Sequence, residues 1–133
     1  MAAILAHIQI KPGKEAFFEA TVQTLYAQSH AEEQHLLRYE YWRGQKPGLY
    51  YCLLSFTDYA GFMAHQTSAH HEAAIPALSE ALQSIDLEWI DPVPGAADAP
   101  PTIPMALGEA ASALAKAYAQ QIAVRVAGWW RAP

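Results

Sequence analysis

Residues 4–10 alternate, with Ile4, Ala6, Ile8 and Ile10 on one side of an extended chain and Leu5, His7 and Gln9 on the other. Side chains of a strand point to opposite faces with a period of two, so this run predicts a strand with one apolar face. Such a face must be covered by another layer, which limits the architectures open to the chain. Lys11-Pro12-Gly13 ends the strand, and residues 14–30 then place Phe18, Val22, Leu25 and Tyr26 at helical spacing while Glu15, Glu19 and Gln23 stay in water. Two runs rich in Tyr, Leu and Trp follow at 36–43 and 49–56, separated by Gly44-Gln45-Lys46-Pro47-Gly48, which reads as a hairpin. Asp58 is a helix N-cap by type and place, predicting a helix over 59–65. Residues 69–83 continue helical, with Pro76 expected to bend that helix or divide it, because proline lacks the N–H and clashes with the preceding turn. Residues 85–90 supply the last strand. The order β-α-β-β-α-β predicts an α+β, ferredoxin-like domain, a four-stranded antiparallel sheet with both helical segments on one face.

The other face of that sheet carries His7, Gln9 and aromatics from the hairpin. A large uncovered patch of this kind marks an interaction surface, so a homodimer closing two sheets into a dimeric α+β barrel is expected. The domain is read as residues 1–93. Pro, Ala, Asp and Thr dominate 94–104, which reads as a linker, and residues 105–133 as a C-terminal amphipathic helical tail carrying Leu107, Ala111, Leu114, Tyr118, Ile122, Val126 and Trp129 at spacings of three or four. Trp129-Trp130 is expected to anchor that tail to its own domain or to a partner subunit.

The eight Lys and Arg against thirteen Asp and Glu give a net charge of −5, which argues against nucleic acid as a partner. Cys52 is the only cysteine, so no intrachain disulfide forms, and there is no signal-like N-terminal segment. The tail contains Lys116 and Arg125 and falls short of a membrane span. A soluble, cytoplasmic protein without a membrane partner is expected.

Phe56-Thr57-Asp58, His65-x-x-Ser68 and the His70-His71 pair stand in the order and spacing that resemble the antibiotic biosynthesis monooxygenase family. Lys11-Pro12-Gly13 with Phe18 resembles the family's exit from strand one, and Glu33 with Tyr39 resembles its Glu-Pro-Gly-x-x-x-Tyr approach to strand two. The resemblance covers about residues 4–91. Two departures stand out: Leu54-Ser55-Phe56 replaces the family's Glu-x-Trp, and Gln34-His35 replaces Pro-Gly. The family's haem-degrading branch relies on that Trp, on an Asn in strand one and on a His where Ile75 falls, so haem chemistry is not expected here.

What the resemblance implies is a cofactor-independent monooxygenase that oxidises a small phenolic, quinol or polycyclic aromatic substrate with dioxygen, using neither metal nor organic cofactor. The rival expectation is a ligand-binding or stress-associated protein of the same fold without catalysis, since fold does not fix function. His65 is the expected base, because imidazole exchanges a proton near neutral pH. A helix-terminal His bonded only to local carbonyls is the competing reading. His7, Gln9, Tyr39 and Tyr51 are expected to orient the aromatic ligand, with Phe56 and Phe62 lining the pocket. His7 and Gln9 read equally well as dimer-interface groups, and Arg38 with Glu40 as a surface pair. A metal site built on His65, His70 and His71 is not expected, since neighbouring helical residues diverge by ~100° and no i, i+4 His pair is present.

Overall fold

The computed structural model of the chain describes residues 1–131. Strand β1 (Ala2–Ile10) leads into helix α1 (Glu15–Glu32), the hairpin β2 (Leu36–Arg43) and β3 (Leu49–Phe56), two consecutive helices α2 (Tyr59–Thr67) and α3 (Ala69–Ala81), and strand β4 (Leu82–Trp89). The sheet order is β2-β3-β1-β4 and every pairing is antiparallel. This is the expected ferredoxin-like α+β arrangement, with β1 central because its alternation gives it a fully apolar face to bury. Ile4, Ala6, Ile8 and Ile10 are buried, as are Phe18, Val22 and Leu25 of α1 and Phe62 and Met63 of α2.

The hairpin turns through Gly48, whose φ of +74° lies in the left-handed region. A Cβ there would sit 2.9 Å from the Ile10 carbonyl oxygen, so glycine is required both by conformation and by the close approach of β1. Asp58 caps α2 as expected, its carboxylate accepting from the Gly61 N–H at 2.6 Å.

Four expectations need correction. Tyr26 does not join the buried stripe of α1. That stripe continues from Leu25 to Ser29, and Tyr26, one helical step around, lies exposed against His30. Pro76 does not divide the second helical segment, which runs unbroken over Ala69–Ala81; the break comes earlier, at Ser68, whose ψ of 151° is extended. The 94–104 segment is not simply a linker. Thr102 is fully buried, its N–H and hydroxyl donating to Asp91 Oδ1 at 2.9 Å and the Ile90 carbonyl at 2.7 Å, and the Met1 nitrogen donates to the Pro101 carbonyl at 3.0 Å. The tail is not one long helix. It contains helix α4 (Ala113–Gln121) and a 3-10 turn, Gly128–Arg131, with irregular chain between them. Helix α4 starts at the Ser112 N-cap, and past its end the Ile122 and Ala123 carbonyls accept from Tyr59 and Trp89 of the domain. Of the expected anchor pair Trp129 is 79% exposed and Trp130 half-buried under Arg131, while the last two residues of the predicted tail, Ala132 and Pro133, lie outside the described residues. Among the described residues no helix is long and apolar enough to cross a membrane.

Candidate active site

Between the inner face of the sheet and helices α2, α3 and α4 lies a cavity of about 250 Å³. Apolar side chains form most of its wall, including Ile4, Ile8, Leu54 and Phe62, and the polar groups are gathered toward α2, α3 and β2. His65, Tyr39, Tyr41, His71 and Tyr118 all reach it.

His65 sits near the C-terminal end of α2 and is 1% exposed. Its Nδ1 lies 2.9 Å from both carboxylate oxygens of Glu33, the residue just beyond α1. Glu33 therefore holds the proton on Nδ1 and leaves Nε2 as the ring's free lone pair; the described residues offer Nε2 no hydrogen-bond partner. The ring is wedged edge-on to Tyr39 at 5.0 Å and against Phe56 at 5.4 Å. The local-cap reading of this residue is thus set aside: the side chain bonds a carboxylate 32 residues away, and only its backbone carbonyl serves the helix end, accepting from Ser68 Oγ at 2.7 Å.

Glu33 takes a second bond from the other side, from His70 Nε2 at 2.6 Å. Burial works to raise the Glu33 carboxyl, but the hydrogen bond and Coulombic pull of the His65 ring and the hydrogen bond of His70 outweigh it and hold the group at about 2. Glu33 is consequently a half-buried anion held between two imidazoles. On its outer side Glu33 and His70 border an open cleft shared with Glu32 and His35. The bonded row His65–Glu33–His70 links the inner cavity to the protein surface.

His71 faces the same cavity, its ring 5.0 Å from that of His65. Burial, assisted by the neighbouring His65, lowers its pKa to about 4, so it is uncharged at neutral pH. Its Nδ1 is buried without a partner among the described residues. Tyr39 and Tyr41 share a bond of 2.7 Å between their hydroxyls, and burial raises both phenols so that they remain O–H donors. Burial also pushes up the Cys52 thiol on the cavity wall, which keeps it protonated and unreactive.

Of the residues singled out in the sequence, His65, Tyr39 and Phe62 line the cavity and Phe56 packs behind His65. His7, Gln9 and Tyr51 are not brought to them. His7 pairs with Tyr51 across β1 and β3 on the opposite sheet face, where His7 Nε2 meets Glu88 at 2.8 Å and Gln9 Nε2 donates to the Pro47 carbonyl at 3.2 Å. Arg38 and Glu40 form an exposed pair, as one sequence reading had it.

Glu33, His70 and His71 were not among the expected site residues. The signal for Glu33 lay in its family-like position before Tyr39. His70 was passed over because the sequence reading looked for a His pair at i, i+4 spacing, and His65 and His70 stand five residues apart. Because α2 ends at Thr67 and α3 restarts after Ser68, His65 and His70 turn toward each other and converge on Glu33. The donor atoms of Glu33, His65 and His70 lie within 4.8 Å of one another, a set able in principle to take a divalent cation. The contacts of 2.9 and 2.6 Å are nonetheless hydrogen-bond lengths in which the imidazole protons already satisfy the carboxylate, so a metal would have to displace them.

The site is a half-buried carboxylate bonded to a buried imidazole at the wall of a mostly apolar chamber, in a small ferredoxin-like α+β domain. The model of the antibiotic biosynthesis monooxygenase family matches residues 1–77, more than half of the chain, and the chain belongs to that family. Among solved structures it is similar to a candidate antibiotic biosynthesis monooxygenase from Caulobacter crescentus CB15, at 24% identity and a TM-score of 0.66 over 69% of this chain and 89% of that one. A second, from Bacteroides thetaiotaomicron VPI-5482, is 18% identical with a TM-score of 0.67 over 79% of this chain and 95% of that one. A third antibiotic biosynthesis monooxygenase is 22% identical with a TM-score of 0.64 over 71% of this chain and the whole of that one. At these identities the likeness is one of fold. No functionally curated protein matches the chain.

Proposed function

We propose that the protein is a cofactor-independent monooxygenase acting on a small hydroxylated aromatic, with His65 as the base. The observation that carries this reading is the Glu33–His65 pair, which presents an imidazole with one nitrogen fixed and the other free at the wall of an apolar cavity. An imidazole held in this way by a carboxylate accepts a proton at Nε2 and is stabilised as the cation by the anion behind it.

The chemistry follows from the substrate. Loss of the phenolic proton to His65 leaves an electron-rich anion, which reduces dioxygen directly and forms a carbon–oxygen bond at the ring. Cleavage of the O–O bond and loss of a ring hydrogen as a proton then leave one oxygen atom in a quinone and the other in water. Phenol plus dioxygen gives quinone plus water, so the substrate supplies all the electrons. The tyrosine hydroxyls are available to hold the developing oxyanion, and the unpaired His71 Nδ1 gains a partner when a ligand hydroxyl enters. The proton collected at His65 is held as an imidazolium against the Glu33 carboxylate, which also borders the outer cleft.

Cavity size narrows the substrate class. About 150 Å³ is enough to take up benzene, so the 250 Å³ here suits one or two fused rings rather than a larger polycycle. The test is oxygen uptake by metal-stripped protein with a panel of hydroquinones and naphthols. Uptake that falls by about 10²–10⁴-fold in His65→Ala is expected, the usual size of a general-base contribution. Tight binding of the same compounds with no uptake would instead favour the non-catalytic ligand-binding reading.

A further inference from the structure

We infer that the C-terminal helix α4 is the specificity wall of the cavity, and that Tyr118 and Ile122 set the size of ring system admitted. The inference rests on the cavity being an aromatic-binding site, as proposed above, but not on its catalysing oxygenation.

The side chains of Tyr118 and Ile122 complete the lining of the chamber beside residues of α2 and α3. They are held there by tethers from the domain. Tyr118 donates to Glu72 Oε1 at 2.5 Å, Tyr59 donates to the Ile122 carbonyl at 2.6 Å, and Trp89 Nε1 donates to the Ala123 carbonyl at 3.1 Å. Three elements of the domain, α2, α3 and β4, thus grip one short segment by its side chain and its backbone, while Ser112 caps its start by accepting from the Ala115 N–H at 3.1 Å. An ornamental tail would not need bonds that end on the residues facing the cavity.

The wall is an addition to the family domain. The family model stops at residue 77, and the three solved relatives, 89–100% of whose own lengths are accounted for, match between 69% and 79% of this chain. A chamber lined by the family sheet and helices but completed by two residues of this chain's own tail has a selectivity that the shared domain does not wholly dictate. Tyr118 also adds a polar edge. Its phenol is occupied by Glu72, and burial together with that carboxylate raises it to about 12, so the wall presents an uncharged aromatic face to the ligand. A planar hydroxylated aromatic of one or two rings fits against it, and a third ring meets Tyr118 or Ile122.

The experiment is anaerobic binding, so that turnover plays no part. Affinities of phenol, 2-naphthol and 2-hydroxyanthracene are measured calorimetrically for the full-length wild type and for Tyr118→Ala, Ile122→Ala and Tyr118→Phe. Wild type is expected to prefer 2-naphthol to 2-hydroxyanthracene by about tenfold or more, the discrimination a tight apolar wall provides. Tyr118→Ala and Ile122→Ala should each erase most of that preference, and Tyr118→Phe, which keeps the ring and loses the bond to Glu72, should retain it. A preference unchanged in both alanine variants overturns the inference, as does failure of all three compounds to bind wild type. A wild type that binds with the expected preference but consumes no oxygen supports the wall and overturns the oxygenase reading alone.

Discussion

At the residue scale the site is organised by one half-buried anion. Glu33 is held at about 2, against an ordinary 4.5, so the stability it contributes is fully present above pH 4.5 and is lost as pH falls from there toward 2. His71 is shifted in the direction that also penalises acid. Its folded value of about 4 lies below the ordinary 6.5, so below pH 6.5 the unfolded chain binds a proton that the folded one refuses, and stability drops between 6.5 and 4. The urea midpoint should therefore decline in two stages on acidification. His71→Leu should flatten the stage between 6.5 and 4, and Glu33→Gln the stage below 4.5; midpoints measured at pH 7, 5 and 3.5 separate them. For turnover, Glu33→Gln leaves a neutral amide behind His65, which no longer fixes the proton on Nδ1 or balances the imidazolium. A loss of about 10²-fold or more in oxygen uptake is expected, approaching that of His65→Ala if Glu33 controls the tautomer.

At the element scale the decisive feature is the short break between α2 and α3. Ser68 makes it twice over, accepting from the His71 N–H at 3.2 Å as the N-cap of α3 and donating to the His65 carbonyl at the end of α2. Ser68→Ala should cost about 1 kcal/mol of stability, the usual value of an N-cap, read from urea unfolding. It should also lower oxygen uptake, because His70 is aimed at Glu33 by this turn. The hairpin strands and the Asp58 cap were legible from sequence because their signals are local: Gly and Pro delimit the hairpin, giving Leu36–Arg43 and Leu49–Phe56, and Asp58 marks its helix, whereas the last strand begins at Leu82, three residues ahead of the expected 85. The meeting of His65 with His70 was not legible, since the angle between two helices joined at Ser68 is set by tertiary packing and not by residue spacing. Nor was the true length of α4. Its apolar spacing runs on past Gln121, where the Ile122 and Ala123 carbonyls instead accept from Tyr59 and Trp89, tertiary bonds with no local signature. His7, Gln9 and Tyr51 were read as ligand groups because the sequence shows which residues share a face but not which face encloses a cavity.

At the scale of the whole molecule the two sheet faces divide the work. The inner face carries the cavity and the proton-bearing groups. The outer one bears the directly paired Leu5–Leu53 and His7–Tyr51, flanked by Arg38, Glu40, Asp86 and Glu88. We propose that this apolar centre with a charged rim pairs with a second copy. Light scattering should then give twice the chain mass of 14.6 kDa, and Leu53→Asp should return it to the single-chain value. Direct dioxygen chemistry in a chamber completed by the tail remains the central claim. Its most direct test is turnover of a hydroquinone or naphthol by metal-stripped protein under ¹⁸O₂. The account predicts one labelled oxygen atom in each quinone formed and a rate that collapses in His65→Ala. Unlabelled quinone accompanied by hydrogen peroxide would contradict it, since the protein would then remove electrons from its ligand without inserting oxygen.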